Sequence, residues 1–330
     1  MTASGRPLHR LAKTLVIGLC AQPPLLRARL QAIRSANVLT VLCMHRVAEV
    51  TENSYEALSP ALFDALLGWL KPRFNLTTFA ALGQAADDPR PPMVLSFDDG
   101  YLDFYQVAMP ILRRHGVRVN QNVTPSSVES GLPPLNVIAQ DFLLSAPAKL
   151  LSEIALPGLT RGSRLDDRRE LAHRVSARLK LLPIGEQQRI MATCWKDFQR
   201  FDDFHITPVM NHAQVVEVAR THEVGVHSWD HASMSVESDA FLREDARRCR
   251  TYLDGLGSVA THVYAFPNGF FRAGQPEIVR AAGFDHVLGV RECFSRPQGW
   301  LHNRFTFHGN SMAELRFRAL GELRLPWGVE

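Results

Sequence analysis

The chain has 330 residues, 46% of them apolar and 21% charged, with a formal net charge of +4. That length and apolar share suit one large core, since α/β barrels of this size are single units, and the weak positive charge gives no ground for a nucleic-acid partner. The five cysteines (Cys20, Cys43, Cys194, Cys249 and Cys293) are scattered without a Cys-x-x-Cys pair; they indicate neither a thiolate zinc site nor a disulfide framework and suit a reducing compartment.

At the N-terminus, Arg6, His9, Arg10 and Lys13 precede the apolar run Leu15 to Ala21. The order of charge and apolar residues is that of a signal peptide, but the run is short, lacks a clean Ala-x-Ala site, and is far below a membrane span. Leu25, Leu26, Leu30 and Ile33 then interleave with Arg27, Arg29 and Arg34. This is a basic amphipathic helix, suited either to an anionic membrane surface through residues 6–34 or to packing on the domain. The expected location is cytoplasmic or peripheral to an inner membrane, with export the alternative.

Val38 to Met44 reads as a strand ending at His45-Arg46. Ser59 and Pro60 open a helix carrying Phe63, Leu66, Leu67 and Leu70 at helical spacing. A short strand over 74–78, a helix over 79–86 and a polar loop lead to the strand Val94-Leu95-Ser96-Phe97, which stops at Asp98-Asp99-Gly100. Helix 107–115, closed by Gly116, and strand 117–123 follow. Residues from about 140 to 205 break the rhythm with helical, charged sequence, which marks an insertion. Alternation resumes with helix 214–221, strand 224–227, helix 241–256, strand 262–266, helix 275–282 and strand 286–290. Strand–helix alternation of this kind indicates a parallel α/β sheet or barrel.

Two adjacent carboxylates at a strand end repel one another and lose solvation unless a cation or proton lies between them. The chain supplies a complement at a second strand end, His227-Ser228-Trp229-Asp230-His231. One Asp oxygen and two His nitrogens form a three-ligand set that leaves a metal position open, and a second carboxylate beside it can take a proton from water. Strand C-termini gather at one face of a parallel barrel, so both halves belong to one site.

Ser96-Phe97-Asp98-Asp99-Gly100 and His227-Ser228-Trp229-Asp230-His231 resemble the first two motifs of the polysaccharide deacetylases, the NodB-homology or family-4 carbohydrate esterases. Met44-His45-Arg46-Val47, Val263-Tyr264-Ala265-Phe266-Pro267-Asn268-Gly269 and Ala281-Ala282-Gly283-Phe284 resemble further segments of the branch with an early Tyr-His-Arg-Val strand. The resemblance spans roughly residues 38–310. It implies a distorted (β/α)7-like barrel, here with a helical insertion at about 140–205, an N-terminal segment 1–37 and a C-terminal tail 311–330. It also implies one divalent metal ion, usually Zn2+, on Asp99, His227 and His231, with Asp98 as base, in the hydrolysis of an N-acetyl group from an amino sugar of a polysaccharide, oligosaccharide or glycolipid precursor.

The acid that protonates the departing amine falls to His45, with His302 and His308 as alternatives. The backbone N–H of Tyr101 is a candidate for the oxyanion, and Asn268 belongs to the same substrate face. Trp229, Phe270 and Phe271 are candidates to stack on sugar rings. The family's usual Arg-x-Pro-Tyr motif is absent, and Arg304 is the substitute for orienting Asp98. Asn120-Gln121-Asn122 replaces an apolar strand, implying that these amides either line a sugar cleft or bond neighbouring loops. Without metal, the aspartate pair is expected to be strained, rearranged or partly protonated. Two other functions fit the same residues: an inactive glycan-binding barrel, and a metal hydrolase of other carbon–nitrogen bonds.

Overall fold

The β-rich run ending at His45 forms strand β1 (Thr40–Met44), and the apolar run ending at Asp98 forms β3 (Pro92–Phe97), every residue of both being buried. The structure is a computed structural model that describes residues 17–18, 21–49, 57–154, 156–159, 167–201, 205–257 and 261–327. The remaining strands are β2 (Asn75–Thr77), β4 (Asn120–Val123), β5 (Glu223–Val226), β6 (Val263–Ala265), β7 (His286–Leu288), β8 (Leu301–His302) and β9 (Phe305–Thr306). All pair in parallel in the order β8-β7-β6-β5-β4-β3-β1-β9, with β2 added to β3. Only Asn303 and Arg304 separate β8 from β9, yet these two strands end opposite sides of the order. A connection that short brings the two edges together and curls the sheet. This is the expected α/β distorted barrel, with β1–β7 as its seven principal strands and β8 and β9 as two-residue additions at the seam.

Helices cover the outside. Helix α1 spans Pro23–Ala36, and α2 spans Pro60–Leu70, where Pro60 takes the first turn and the Ser59 side chain accepts from Leu62 N–H at 3.3 Å. The segment expected as helix 107–115 is a π-helical turn over Phe104–Ala108 running into α3 (Met109–His115), and residues 79–87 form a 3-10 helix in place of the expected α-helix. The insertion begins slightly earlier than expected. After α4 (Pro125–Ser130) come α5 (Leu135–Ser145), α6 (Ala148–Leu151), α7 (Arg168–Leu179) and α8 (Ile184–Phe198). These helices have their own apolar centre, in which the Phe142 and Phe198 rings stack at 4.1 Å. The barrel resumes with α9 (His212–Ala219), α10 (Asp239–Gly255), α11 (Gln275–Ala281) and α12 (Met312–Ala319).

Both terminal segments reach the barrel. Leu26 and Ile33 of α1 are buried, and Arg29 donates to the carbonyls of Leu320 and Arg324 at 2.9 and 2.6 Å. The apolar stripe of α1 therefore packs on the domain, while Leu25 stays exposed. The stretch expected as a tail contains α12, whose Leu315 and Ala319 are fully buried. Arg6 to Lys13 and most of the apolar run, Leu15, Val16, Leu19 and Cys20, lie outside the described residues. No helix among those described is long and apolar enough to cross a membrane.

Near the seam, His302 is fully buried and lies 3.0 Å from His286, with the Phe79 ring 5.1 Å away. Burial pushes the His302 pKa down to about 3 and lowers that of His286. Folding therefore disfavours protonating either ring, so their contribution to stability is complete above about pH 6.5 and is lost as pH falls toward 3. Replacing His302 by Phe is expected to flatten this acid limb, on the order of a few kcal/mol. Urea unfolding at pH 7.5 and 4.5 checks it; an unchanged difference between the two pH values would show that the pair does not carry the acid sensitivity.

Candidate active site

Parallel pairing places His45, Asp98-Asp99 and His227 at the C-terminal ends of β1, β3 and β5, on one face of the barrel. The register brings Met44 beside Phe97 and Val123 beside Val226. A cleft of about 480 Å3 opens there, lined by His45, Asp98, His227, His231, Asn268 and Phe270 among others.

The two aspartates diverge because Asp99 has a left-handed backbone, φ 72°. Such a conformation costs a non-glycine residue of the order of 1–3 kcal/mol and persists only where its surroundings enforce it. Gly100 follows at φ 75°, and a side chain there would crowd Val123 at 3.3 Å. Asp99 Oδ1 then faces His231 Nε2 at 3.4 Å and His227 Nε2 at 3.6 Å. This oxygen is buried and accepts no hydrogen bond. His227 turns its other nitrogen, Nδ1, to the Ala265 carbonyl at 2.9 Å, which makes Nδ1 the donor and leaves the Nε2 lone pair toward Asp99. Burial holds the His227 pKa down to about 4, so the ring is neutral at neutral pH. The three donor atoms lie within 4.8 Å of one another. A buried carboxylate oxygen without a donor, facing two imidazole nitrogens, fits a divalent cation of the kind that takes N and O ligands.

Asp98 is held differently. Its Oδ1 accepts from Arg304 Nη1 at 2.7 Å and from Asn122 Nδ2 at 2.8 Å. Its Oδ2 accepts from the Cys43 thiol at 3.4 Å and lies 3.7 Å from His227 Nε2. Burial alone would raise its pKa; the Arg304 guanidinium, together with His227 and His45, more than offsets that and keeps the carboxyl well below the usual carboxylate range. Burial opposes ionisation at Asp99 as well, and His231 with His45 and His227 reverses it.

The amides of β4 do neither of the two things expected of them. Period-2 alternation turns Asn120 and Asn122 to one face, where Ser96 Oγ donates to Asn120 Oδ1 at 2.8 Å and Asn122 Nδ2 bonds both Ser96 and Asp98. They buttress Asp98. Asn122 has room because Gly225 is its partner on β5, and a Cβ at Gly225 would overlap Asn122 Oδ1 and crowd Val263. Gly225→Ala is expected to push Asn122 off Asp98 and lower kcat for acetate release about 10- to 100-fold. Steady-state kinetics beside a circular-dichroism spectrum check this; full activity in a folded variant would mean Asn122 is dispensable.

The loop carrying the two histidines is pinned from α10. Asp245 Oδ2 accepts from Ser228 Oγ and Trp229 N–H, both at 2.9 Å, and Asp245 Oδ1 accepts from Tyr264 OH at 2.7 Å. Ser228 and His231 have φ of 60° and 58°, strain that this buried carboxylate helps to hold.

The other expected residues divide. One His45 nitrogen lies within 4.8 Å of an Asp98 carboxylate oxygen, and burial lowers the His45 pKa. Asn268 lines the cleft with φ 58° and donates to Ser233 Oγ at 3.1 Å. Phe270 lines it as well, while the Phe271 ring packs on Phe266 at 4.7 Å. Trp229 is not a wall of this cleft: Arg248 covers its ring at 4.0 Å and Tyr252 abuts it edge-on. Tyr101 is wholly buried directly after the aspartates, with Arg46 5.3 Å from its ring centre. His302, packed between Phe79 and His286, is removed as an acid; His308 lines a neighbouring cavity with His45. Asn122, Ser96, Cys43 and Gly225 are the contributors that sequence reasoning missed. The alternation of amides in Asn120-Gln121-Asn122 was their one local signal.

The C-terminal face of this parallel barrel thus gathers a carboxylate pair and two histidines, a set that could hold a divalent ion beside a second carboxylate. Residues 177–287 match the sequence profile of the family described as polysaccharide deacetylase. Over that third of its length the chain is similar to the polysaccharide deacetylases, a family of hydrolases acting on carbon–nitrogen bonds other than peptide bonds. The matched stretch includes His227 and His231, while Asp98 and Asp99 lie upstream of it. Among solved structures, the chain is similar to the Streptococcus pyogenes deacetylase PplD in complex with acetate, with 16% identity, a TM-score of 0.57, and coverage of 86% of this chain and 98% of that one. It is also similar to IcaB from Ammonifex degensii, at 17% identity and TM-score 0.54, covering 86% of this chain and 97% of that one. A third is a de-N-acetylase from Aggregatibacter actinomycetemcomitans, at 15% identity and TM-score 0.52, covering 84% and 98%. At these identities the likeness is one of fold. No curated protein sequence matches the chain.

Proposed function

We propose that the protein is a divalent-metal-dependent N-deacetylase of acetylated amino sugars in a glycan or glycolipid precursor. The observation that carries this reading is the division of labour between the aspartates. Asp99 offers an undonated oxygen beside two imidazoles, and Asp98 is held apart by Arg304 and Asn122. Asp99, His227 and His231 would hold the ion, with Zn2+ the best match to one carboxylate and two imidazoles. When bound, it would supply Lewis acidity toward the acetyl carbonyl and the attacking water.

The remaining steps belong to the chain. Hydrolysis adds hydroxyl to the acetyl carbon and a proton to the nitrogen. Arg304 and Asn122 occupy Asp98 Oδ1, so Oδ2 is the oxygen that takes the proton from water. His45 enters neutral because burial lowers its pKa. It can therefore accept a proton on the Asp98 side and deliver it to the departing amine. Phe270 and Asn268 supply an apolar and a polar contact at the cleft wall.

Acetate release from acetylated chitooligosaccharides, with and without chelator, tests the reading. Activity is expected to vanish with chelator and to return with added Zn2+. Full turnover by protein shown to be metal-free would overturn the metal-dependent mechanism.

A further inference from the structure

The cleft continues past His45 into a second cavity of about 430 Å3, and His45, Ala177, Lys180 and Thr306 line both. The two halves differ in charge. Among the described residues, Asp98 is the acidic residue lining the first, whereas those lining the second include no acid and present Arg46, His173 and His308. Arg46 is engaged by Asp103 at 2.6 Å. Lys180, at the junction, makes no hydrogen bond or ion pair through its ammonium among the described residues; Asp99 acts on it only as a charge at longer range.

Lys180 follows the last residue of α7 and is placed by the insertion rather than by the barrel. Leu179, next to it, is buried in the insertion's apolar centre, and Ala177, Lys180 and Leu181 form the cleft wall. Lys180 is half-buried; drawing a lone ammonium partly out of water is unfavourable, and that desolvation lowers its pKa. An anion at the junction would offset that cost.

We propose that Lys180 is a specificity residue that binds an oxyanion, phosphate or carboxylate, carried on or next to the acetylated amino sugar, so that the substrate is an anionic glycan or a phosphorylated precursor. The identity of the acetylated sugar rests on the deacetylase reading; the anion site does not. Lys180 with the cavity beyond it takes the anionic group, and the aspartate end takes the acetyl group.

Equilibrium binding to the zinc-loaded full chain tests this with three probes: N-acetylglucosamine 1-phosphate, an N-acetylglucosamine disaccharide carrying glucuronate, and neutral N-acetylglucosamine. At least one anionic probe is expected to bind about tenfold or more tightly than the neutral one, as a charge-assisted contact provides. That ratio should collapse in Lys180→Gln and persist in Lys180→Arg. Preference for the phosphate or for the uronate names the source of the charge. Absence of any anion preference, or a preference that survives Lys180→Gln, overturns the proposal; the latter would assign Lys180 to balancing Asp99. Acetate release is read in parallel. An anion preference that depends on Lys180, without acetate from any probe or from chitooligosaccharides, supports the anion site while rejecting the deacetylase reading.

Discussion

Asp98→Asn is expected to lower kcat for acetate release by about 10²- to 10⁴-fold, the usual contribution of a positioned general base, while the protein still binds one divalent ion. Asparagine keeps the size and can still accept from Arg304 and Asn122 through its carbonyl, so the fold should tolerate it. It cannot take a proton from water. Asp99→Ala is expected to abolish activity by another route, since it removes the oxygen that faces both His227 and His231. Metal content measured beside kinetics separates the two: low activity with metal retained for Asp98→Asn, and loss of both for Asp99→Ala. Loss of metal from both variants would mean that Asp98 is a ligand and that the division of labour is wrong.

Arg304→Met is expected to destabilise the protein by about 3–5 kcal/mol, the usual cost of breaking a buried ion pair from one side. Arg304 is wholly buried, with Nη1 2.7 Å from Asp98 and Nε donating to the Gly289 carbonyl at 3.1 Å. The pH dependence should change sign with it. In the native protein the Asp98 pKa is depressed, so its pairing stabilises the fold above about pH 3.8 and is lost only in strong acid. Without the guanidinium, burial dominates and raises that pKa. The variant should then be least affected in acid and lose stability as pH rises through the new value. Urea unfolding of the metal-free protein at pH 5 and pH 8 reads this directly, with a larger deficit at pH 8. An equal deficit at both would assign Arg304 to packing alone.

The parts of this site that were legible in the sequence are those whose chemistry is local. Asp98 and Asp99 directly follow one strand, and His227 directly follows another with His231 four residues on in the same loop, so strand direction places them on one face. His45 was legible for the same reason, and the strand–helix rhythm announced the barrel. Arg304 was reachable through resemblance and not through pattern, because it lies between two-residue strands too short to show a period. Trp229 misled because an aromatic beside a ligand histidine reads as a sugar platform, while α10 supplies Arg248 and Tyr252 to occupy the ring.

By itself, the sequence determined the fold class, the order of its strands along the chain, and the four residues whose acid and imidazole chemistry points to a metal-assisted hydrolase. Those follow from apolar periodicity and from residue type, which neighbouring positions carry between them. Tertiary structure decided how the paired aspartates are held apart. The left-handed turn at Asp99, the register that sets Asn122 against Gly225, the seam that delivers Arg304, and the docking of the insertion that leaves Lys180 over the cleft all join segments distant in sequence. Each depends on which strands pair and how closely backbones approach, and no local pattern encodes either.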